Sequence, residues 1–228
     1  MQLVCPVSTP VCFRDAVDAG ADAVQCGFAN ETNAAHVLAL HFTYDELAEA
    51  IAYARPRGTK VIVAIDSFMR AGAEELWTKG VDIAVSLGAD AILVSDIGLL
   101  AYAADKYPDQ RRHLAVQSSA ATAAHLGFLA EAFGIKRAVL PRGMLVEEVV
   151  AIAADAGCEI EVAAGSLSLR RGEAHAGPSL DMLAHLADLT AAGVTALKVE
   201  DAPRGAAYIR SLRADFAAAL PHDEAEAA

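Results

Sequence analysis

Short apolar runs alternate with longer stretches in which apolar residues recur every three or four positions. The short runs read as buried strands and the longer ones as amphipathic helices. Eight strands are expected, at Gln2–Pro6, Ala23–Phe28, Lys60–Ile65, Ala91–Asp96, His113–Gln117, Ala138–Pro141, Glu159–Ala163 and Thr195–Glu200. The helical stretches are Val11–Ala19, Tyr44–Arg55, Ala73–Leu87, Leu99–Lys106, Ala121–Phe133, Val146–Ala156, Ser179–Ala192 and Arg204–Leu220. Six joints share one form, a helix-ending Gly followed by a short polar step and a strand. They begin at Gly20, Gly58, Gly88, Gly134, Gly157 and Gly193. Gly supplies the left-handed residue that ends a helix, and repeated helix-to-strand joints imply a parallel sheet.

Eight strand–helix units predict an α/β fold, a single closed (β/α)8 barrel of TIM type over residues 1–220, with a short acidic tail at 221–228. An open doubly wound sheet would want a Gly-rich phosphate loop after the first strand, and Cys5-Pro-Val-Ser-Thr-Pro lacks one. Two loops are long, Ala29–Phe42 and Gly165–Pro178. Both fall on the face formed by the C-terminal strand ends, where barrels carry their chemistry.

Composition narrows the function classes. The chain has 228 residues, is 55% hydrophobic and carries a net charge of −12. One well-buried domain fits that length. The acidic balance argues against a nucleic-acid surface, which needs a basic face. No apolar run approaches the ~18 residues of a membrane span, and the first residues enter a strand without a leader pattern, so a cytoplasmic location is expected. Cys5, Cys12, Cys26 and Cys158 form no C-x-x-C pair and read as reduced, mostly buried thiols.

Strand alternation selects the candidate site. In the last strand Leu197 and Val199 suit the helix side, so Lys198 and Glu200 turn inward, as a reactive amine with a carboxylate or as an ion pair plugging the interior. His113, Ala115 and Gln117 share one face, with Gln117 nearest the mouth. Asp66 and Asp96 end their strands, and Asp96 stands where an N-cap is expected. Arg142 follows the sixth strand as a planar donor for a carboxylate or phosphate, or as a rim ion pair. Asn30, Glu31 and Asn33 open the loop after the second strand. The expected ligand-binding set is therefore Asn33, Asp66, Gln117, Arg142, Lys198 and Glu200. His36 and His41 lie in the long second loop and read as solvent-facing. Ser166 and Ser168 have no evident His partner, and the sequence holds no Gly-x-Ser-x-Gly or His-Glu-x-x-His.

Several segments together resemble a known family. They are Leu3-Val-Cys-Pro, Gly27-Phe-Ala-Asn-Glu-Thr-Asn-Ala, Val63-Ala-Ile-Asp-Ser-Phe, Leu87-Gly-Ala-Asp-Ala-Ile-Leu-Val-Ser-Asp, His113-Leu-Ala-Val-Gln-Ser-Ser-Ala, Val139-Leu-Pro-Arg and Ala196-Leu-Lys-Val-Glu. The chain resembles the collagenase-like peptidases of family U32, and most of all the UbiU-type branch of oxygen-independent ubiquinone biosynthesis. The resemblance implies a barrel, a 4Fe-4S cluster on four cysteines, ring hydroxylation without oxygen and a sister U32-type barrel as partner. Related branches modify RNA, and others were named as proteases. Ser168 and His175 stand where the family has its first two cluster cysteines, and the segment bearing the other two is missing. Thiolates are the ligands such clusters need, so no cluster and no metal are expected. The expected function is a cluster-free relative of the hydroxylation proteins that binds a small carboxylate or aromatic ligand. A hydrolase and a non-catalytic scaffold barrel are the alternatives.

Overall fold

The computed structural model of the chain describes residues 1–34, 42–117, 121–163, 185–199 and 206–219. Eight parallel strands close into a barrel in chain order, with the last pairing the first. They are β1 Gln2–Pro6, β2 Ala23–Gly27, β3 Lys60–Ile65, β4 Ala91–Val94, β5 Arg112–Ala115, β6 Ile135–Val139, β7 Glu159–Ala163 and β8 Val194–Lys198. The expected strands all exist. β6 differs most, beginning three residues before the expected Ala138 because Lys136 and Arg137 are strand residues. Their charges read as a loop, yet Lys136 faces solvent and Arg137 faces the barrel interior.

The described helices are α1 Pro10–Asp18, α2 Tyr44–Ala54, α3 Glu75–Ser86, α4 Ile97–Lys106, α5 Ala123–Phe133, α6 Val146–Asp155, α7 Leu186–Ala191 and α8 Ala206–Ala219. The sequence places their starts through hydroxyl and carboxylate caps. Thr9, Thr43, Asp96 and Thr122 each accept a first-turn N–H, and Thr43 with Glu46 completes a capping box. All six joint glycines have positive φ, from 64° at Gly134 to 103° at Gly193. At Gly193 an added Cβ would also meet the Ala153 carbonyl at 3.2 Å, so both conformation and space require glycine there.

Two joints carry Gly-Ala-Asp, and the aspartates do work that the pattern alone did not disclose. Asp22 accepts the Leu3 N–H at 2.8 Å, and Asp90 accepts the Val61 N–H at 2.9 Å. Each ties the start of one strand to the joint before its neighbour.

The large apolar core lies between strands and helices, around Phe13, Phe28, Phe42, Trp77, Leu99 and Leu126. A smaller cluster fills the barrel itself, with Val4, Ile62, Leu93 and Val139 among small alanines. The strand registers sort the inward residues into layers of four from alternate strands, as barrels of this type do. Val4, Ile62, His113 and Glu161 form the central layer. Below it, towards the N-terminal strand ends, lie Ala23, Ala91, Arg137 and Ala196. Above it lie Gln25, Leu93, Val139 and Lys198, and then Pro6, Ala64, Ala115 and Ala163.

Candidate functional site

At the C-terminal mouth the described inward residues fall into two layers. The lower is the layer of Gln25 and Lys198, both half-buried, beside the apolar Leu93 and Val139. The layer above consists only of Pro6 and three alanines, and on the intervening strands Gly27 ends β2 and Ser95 follows β4. Barrels usually fill such layers with bulky branched side chains. Among the described residues, small side chains therefore stand above Lys198.

Lys198 faces inward as expected, sharing its parity with buried Ala196, while Leu197 and Val199 pack in the outer core. Beneath it stands Glu161, 1% exposed, which feels both the Lys198 and Arg137 charges. Burial nevertheless pushes the Glu161 carboxyl above its usual range. Glu200, the expected partner of Lys198, lies outside the described residues, so the interior ion pair in view is a different one. Arg137, 2% exposed, donates to Glu161 at 3.2 Å, to Glu159 at 2.7 and 2.9 Å, and to the Gln2 amide oxygen at 2.6 Å. Arg137, Glu159 and Glu161 escaped the sequence reading. The signal was present in Glu159-Ile-Glu-Val, where alternation puts both carboxylates opposite the buried Ile160 and Val162.

The rim on the β2–β3 side is knitted by local bonds. Asn30 accepts from the Thr32 N–H at 3.0 Å and the Thr32 hydroxyl at 2.7 Å, so its side chain serves its own turn. Asp66 Oδ1 accepts the Ala34 N–H at 2.8 Å, and the Ser67 N–H donates to the Thr32 carbonyl at 3.1 Å. Glu31 pairs with Arg70. Asn33 is buried against the end of β2, and the absent side chain of Gly27 is what admits it. A Cβ on Gly27 would lie 1.9 Å from Asn33 Nδ2. Asp66 and Asn33 thus border the mouth together, and Asp66 also holds the loop that carries Asn33.

On the opposite side Gln117 and Arg142 follow the adjacent strands β5 and β6, and both are exposed. Asp96 serves as the N-cap of α4, accepting from Leu99 N at 3.0 Å, and its second oxygen accepts from Met69 N at 3.2 Å. His36, His41, Ser166, Ser168 and His175 lie outside the described residues, as do the second long loop and the 221–228 tail. Gln25 and Ser95 are mouth residues that sequence reasoning passed over. Ser95 lies within the expected strand Ala91–Asp96 and was not singled out, and Gln25 was hidden inside an otherwise apolar strand.

The cluster implied by the resemblance needs thiolates. Cys5 and Cys26 sit in the apolar layer between strands and helices, and burial pushes both thiols up to about 12. Cys158 immediately precedes β7 at the far end of the barrel, and burial raises its thiol as well. Cys12 lies on α1. These four residues do not fit a four-thiolate cage.

The model of Peptidase family U32 matches residues 8–167. The chain belongs to peptidase family U32. It is 29% identical over 149 residues to an uncharacterized protease, MJ0090, of Methanocaldococcus jannaschii. It is 28% identical over 148 residues to tRNA hydroxylation protein P of Escherichia coli K12. Each alignment covers 65% of this chain, but only 35% and 32% of the respective relative. The chain therefore spans about a third of the length of the curated relatives it matches. Among solved structures, the U32 peptidase Mk0906 superposes with a TM-score of 0.56 at 22% identity, over 75% of this chain and 71% of that one. DHDPS from Cyanidioschyzon merolae, with lysine bound, gives 0.59 at 14% identity over 94% and 74%. At such identities the likeness is one of fold, and fold does not choose a chemistry.

Proposed function

We propose that this chain is the barrel of a U32 protein of the hydroxylation branch, and that its C-terminal mouth holds a small aromatic or carboxylate ligand without an iron–sulfur cluster on its own cysteines. The layer of small residues above Lys198 carries this reading. Its alanines suit the faces of a ring, and the Lys198 ammonium beneath them suits a carboxylate. Arg142 on the rim adds a planar two-point donor. Similarity to tRNA hydroxylation protein P supports the choice of branch. The net charge of −12 favours a small ligand over a polynucleotide in this chain. The partner that the reading implies is a sister U32-type barrel.

A peptidase reading has the family name and the Methanocaldococcus relative behind it. Among the described residues no Ser or Cys side chain is hydrogen-bonded to a His, so nothing there activates a nucleophile.

Calorimetric titration with 4-hydroxybenzoate, an aromatic carboxylate, tests the ligand class. Saturable binding is expected in the full chain, and its loss in Lys198→Met. Binding that ignores Lys198→Met would remove the mouth from the reading. Anaerobic reconstitution followed by iron and sulfide analysis tests the cluster-free part, and about four irons per chain would overturn it.

A further inference from the structure

A cavity of about 270 Å³ enters from the N-terminal strand ends, the face opposite the mouth. It exists because the layer containing Arg137 has alanine at its three other positions, Ala23, Ala91 and Ala196. Bulky side chains would normally close a barrel here.

Donors outnumber acceptors along its wall. The carboxylates are Asp90 and Glu159, and both are engaged. Asp90 takes the Lys60 ammonium and the Val61 N–H, each at 2.9 Å. Glu159 takes Arg111 on one oxygen at 2.5 Å and Arg137 on the other at 2.7 and 2.9 Å. Three cations, Lys60, Arg111 and Arg137, line the cavity against these two carboxylates, with Arg137 shared also with Glu161 in the layer above, within a chain of net charge −12. Lys60 donates to Asp90 alone among the described residues, which leaves two of its three N–H groups for a ligand.

His113 is a buried residue of the lining. It is 2% exposed, and its Nε2 accepts from Arg111 Nε at 3.0 Å. That bond assigns the ring proton to Nδ1. Nδ1 has no partner among the described residues, and neither has Glu161 Oε1. Buried polar groups are nearly always paired, and the two unpaired atoms, a donor on His113 and an acceptor on Glu161, share the central layer that closes the cavity's inner end.

We propose that this cavity binds a small oxyanion, a carboxylate or a phosphate, with Lys60 and Arg111 holding it at the opening and the Arg137 charge at the inner end. The site is separate from the mouth, so it stands or falls without the ligand proposed there.

The test is titration of the full chain with inorganic phosphate and with malonate, at constant ionic strength, by calorimetry and thermal shift. Saturable binding is expected for at least one anion, together with a rise in melting temperature. Lys60→Gln and Arg111→Gln, both at partly exposed positions, each weaken it by roughly tenfold, the worth of one charge-assisted hydrogen bond. Lys198→Met, at the mouth, leaves it unchanged. The proposal is overturned if no saturable binding occurs at tens of millimolar anion, if binding survives both wall variants, or if it disappears only in Lys198→Met.

Discussion

Arg137 Nη1 donates to Glu161 Oε2 at 3.2 Å in the middle of the barrel, where the two side chains are 3% and 1% exposed. A pair this deep costs much in desolvation and is weak evidence of stability by itself. Breaking it is another matter. Arg137→Leu leaves Glu161 without its guanidinium and Glu159 with Arg111 alone, and is expected to destabilise the fold by about 3–5 kcal/mol. Glu161→Gln, which can still accept from Arg137, should cost clearly less. Joining Arg137→Leu to Glu161→Leu should recover part of the loss, because no charge then remains unpaired in the central layer. Urea unfolding of the single and double variants measures all three, and additive costs would show that the pair is not coupled.

His113 makes stability depend on pH. Burial first, then the Arg137 and Arg111 charges beside it, drops the imidazole from 6.5 to about 3. The folded state therefore resists a proton that the unfolded chain accepts. Its contribution is complete above pH 6.5 and is lost as pH falls towards 3, by up to about 1.4 kcal/mol per pH unit. Glu161 works in the opposite sense, since its raised pKa makes the fold lose stability as pH climbs above the usual carboxylate range. His113→Gln keeps an acceptor for Arg111 and removes the titration. Denaturant unfolding between pH 7.5 and 4.5 should show a shallower acid decline in the variant, and parallel declines would exclude His113 as a source.

Gly27→Ala asks whether Asn33 needs its place. The added Cβ would sit 1.9 Å from Asn33 Nδ2 and 2.6 Å from its Cγ, so the Asn33 side chain must leave. An overpacking cost of about 1–3 kcal/mol is expected. Asn33→Ala in the same chain removes the clashing amide and should restore part of it, leaving only a tight contact at 3.1 Å. A double variant no more stable than Gly27→Ala alone would mean that the strand end, and not Asn33, sets the cost.

The barrel was legible because its signals are local. The glycine joints mark helix ends whatever surrounds them, and all six adopt the left-handed conformation their position implied. The inward turn of Lys198 followed from strand alternation. The polar centre was harder because it is assembled from distant parts of the chain. Arg137 reaches Gln2 across 135 residues, and no window of sequence joins the two. Its own neighbours, Ile135-Lys-Arg, resemble a solvated joint more than a strand. The roles of Asn30 and Asp66 in securing the β2 loop also depend on which backbone N–H groups the fold brings within reach.

The last prediction separates a binding mouth from a charge-filled one. Arg142 is exposed at the end of β6, while Arg137, five residues earlier in the chain, is buried. If Arg142 receives the carboxylate of a ligand, Arg142→Ala weakens 4-hydroxybenzoate binding by about 1.5–3 kcal/mol, the range for hydrogen bonds to charged groups. Its effect on melting temperature should be small, because surface substitutions usually shift stability by about 0.5 kcal/mol or less. Arg137→Leu should show the reverse balance, with a large fall in stability. The two variants, measured side by side by calorimetry and thermal unfolding, form an internal control. A stability loss of about 3 kcal/mol in Arg142→Ala, with no binding to lose, would show that the rim arginine is structural and would remove the mouth as a ligand site.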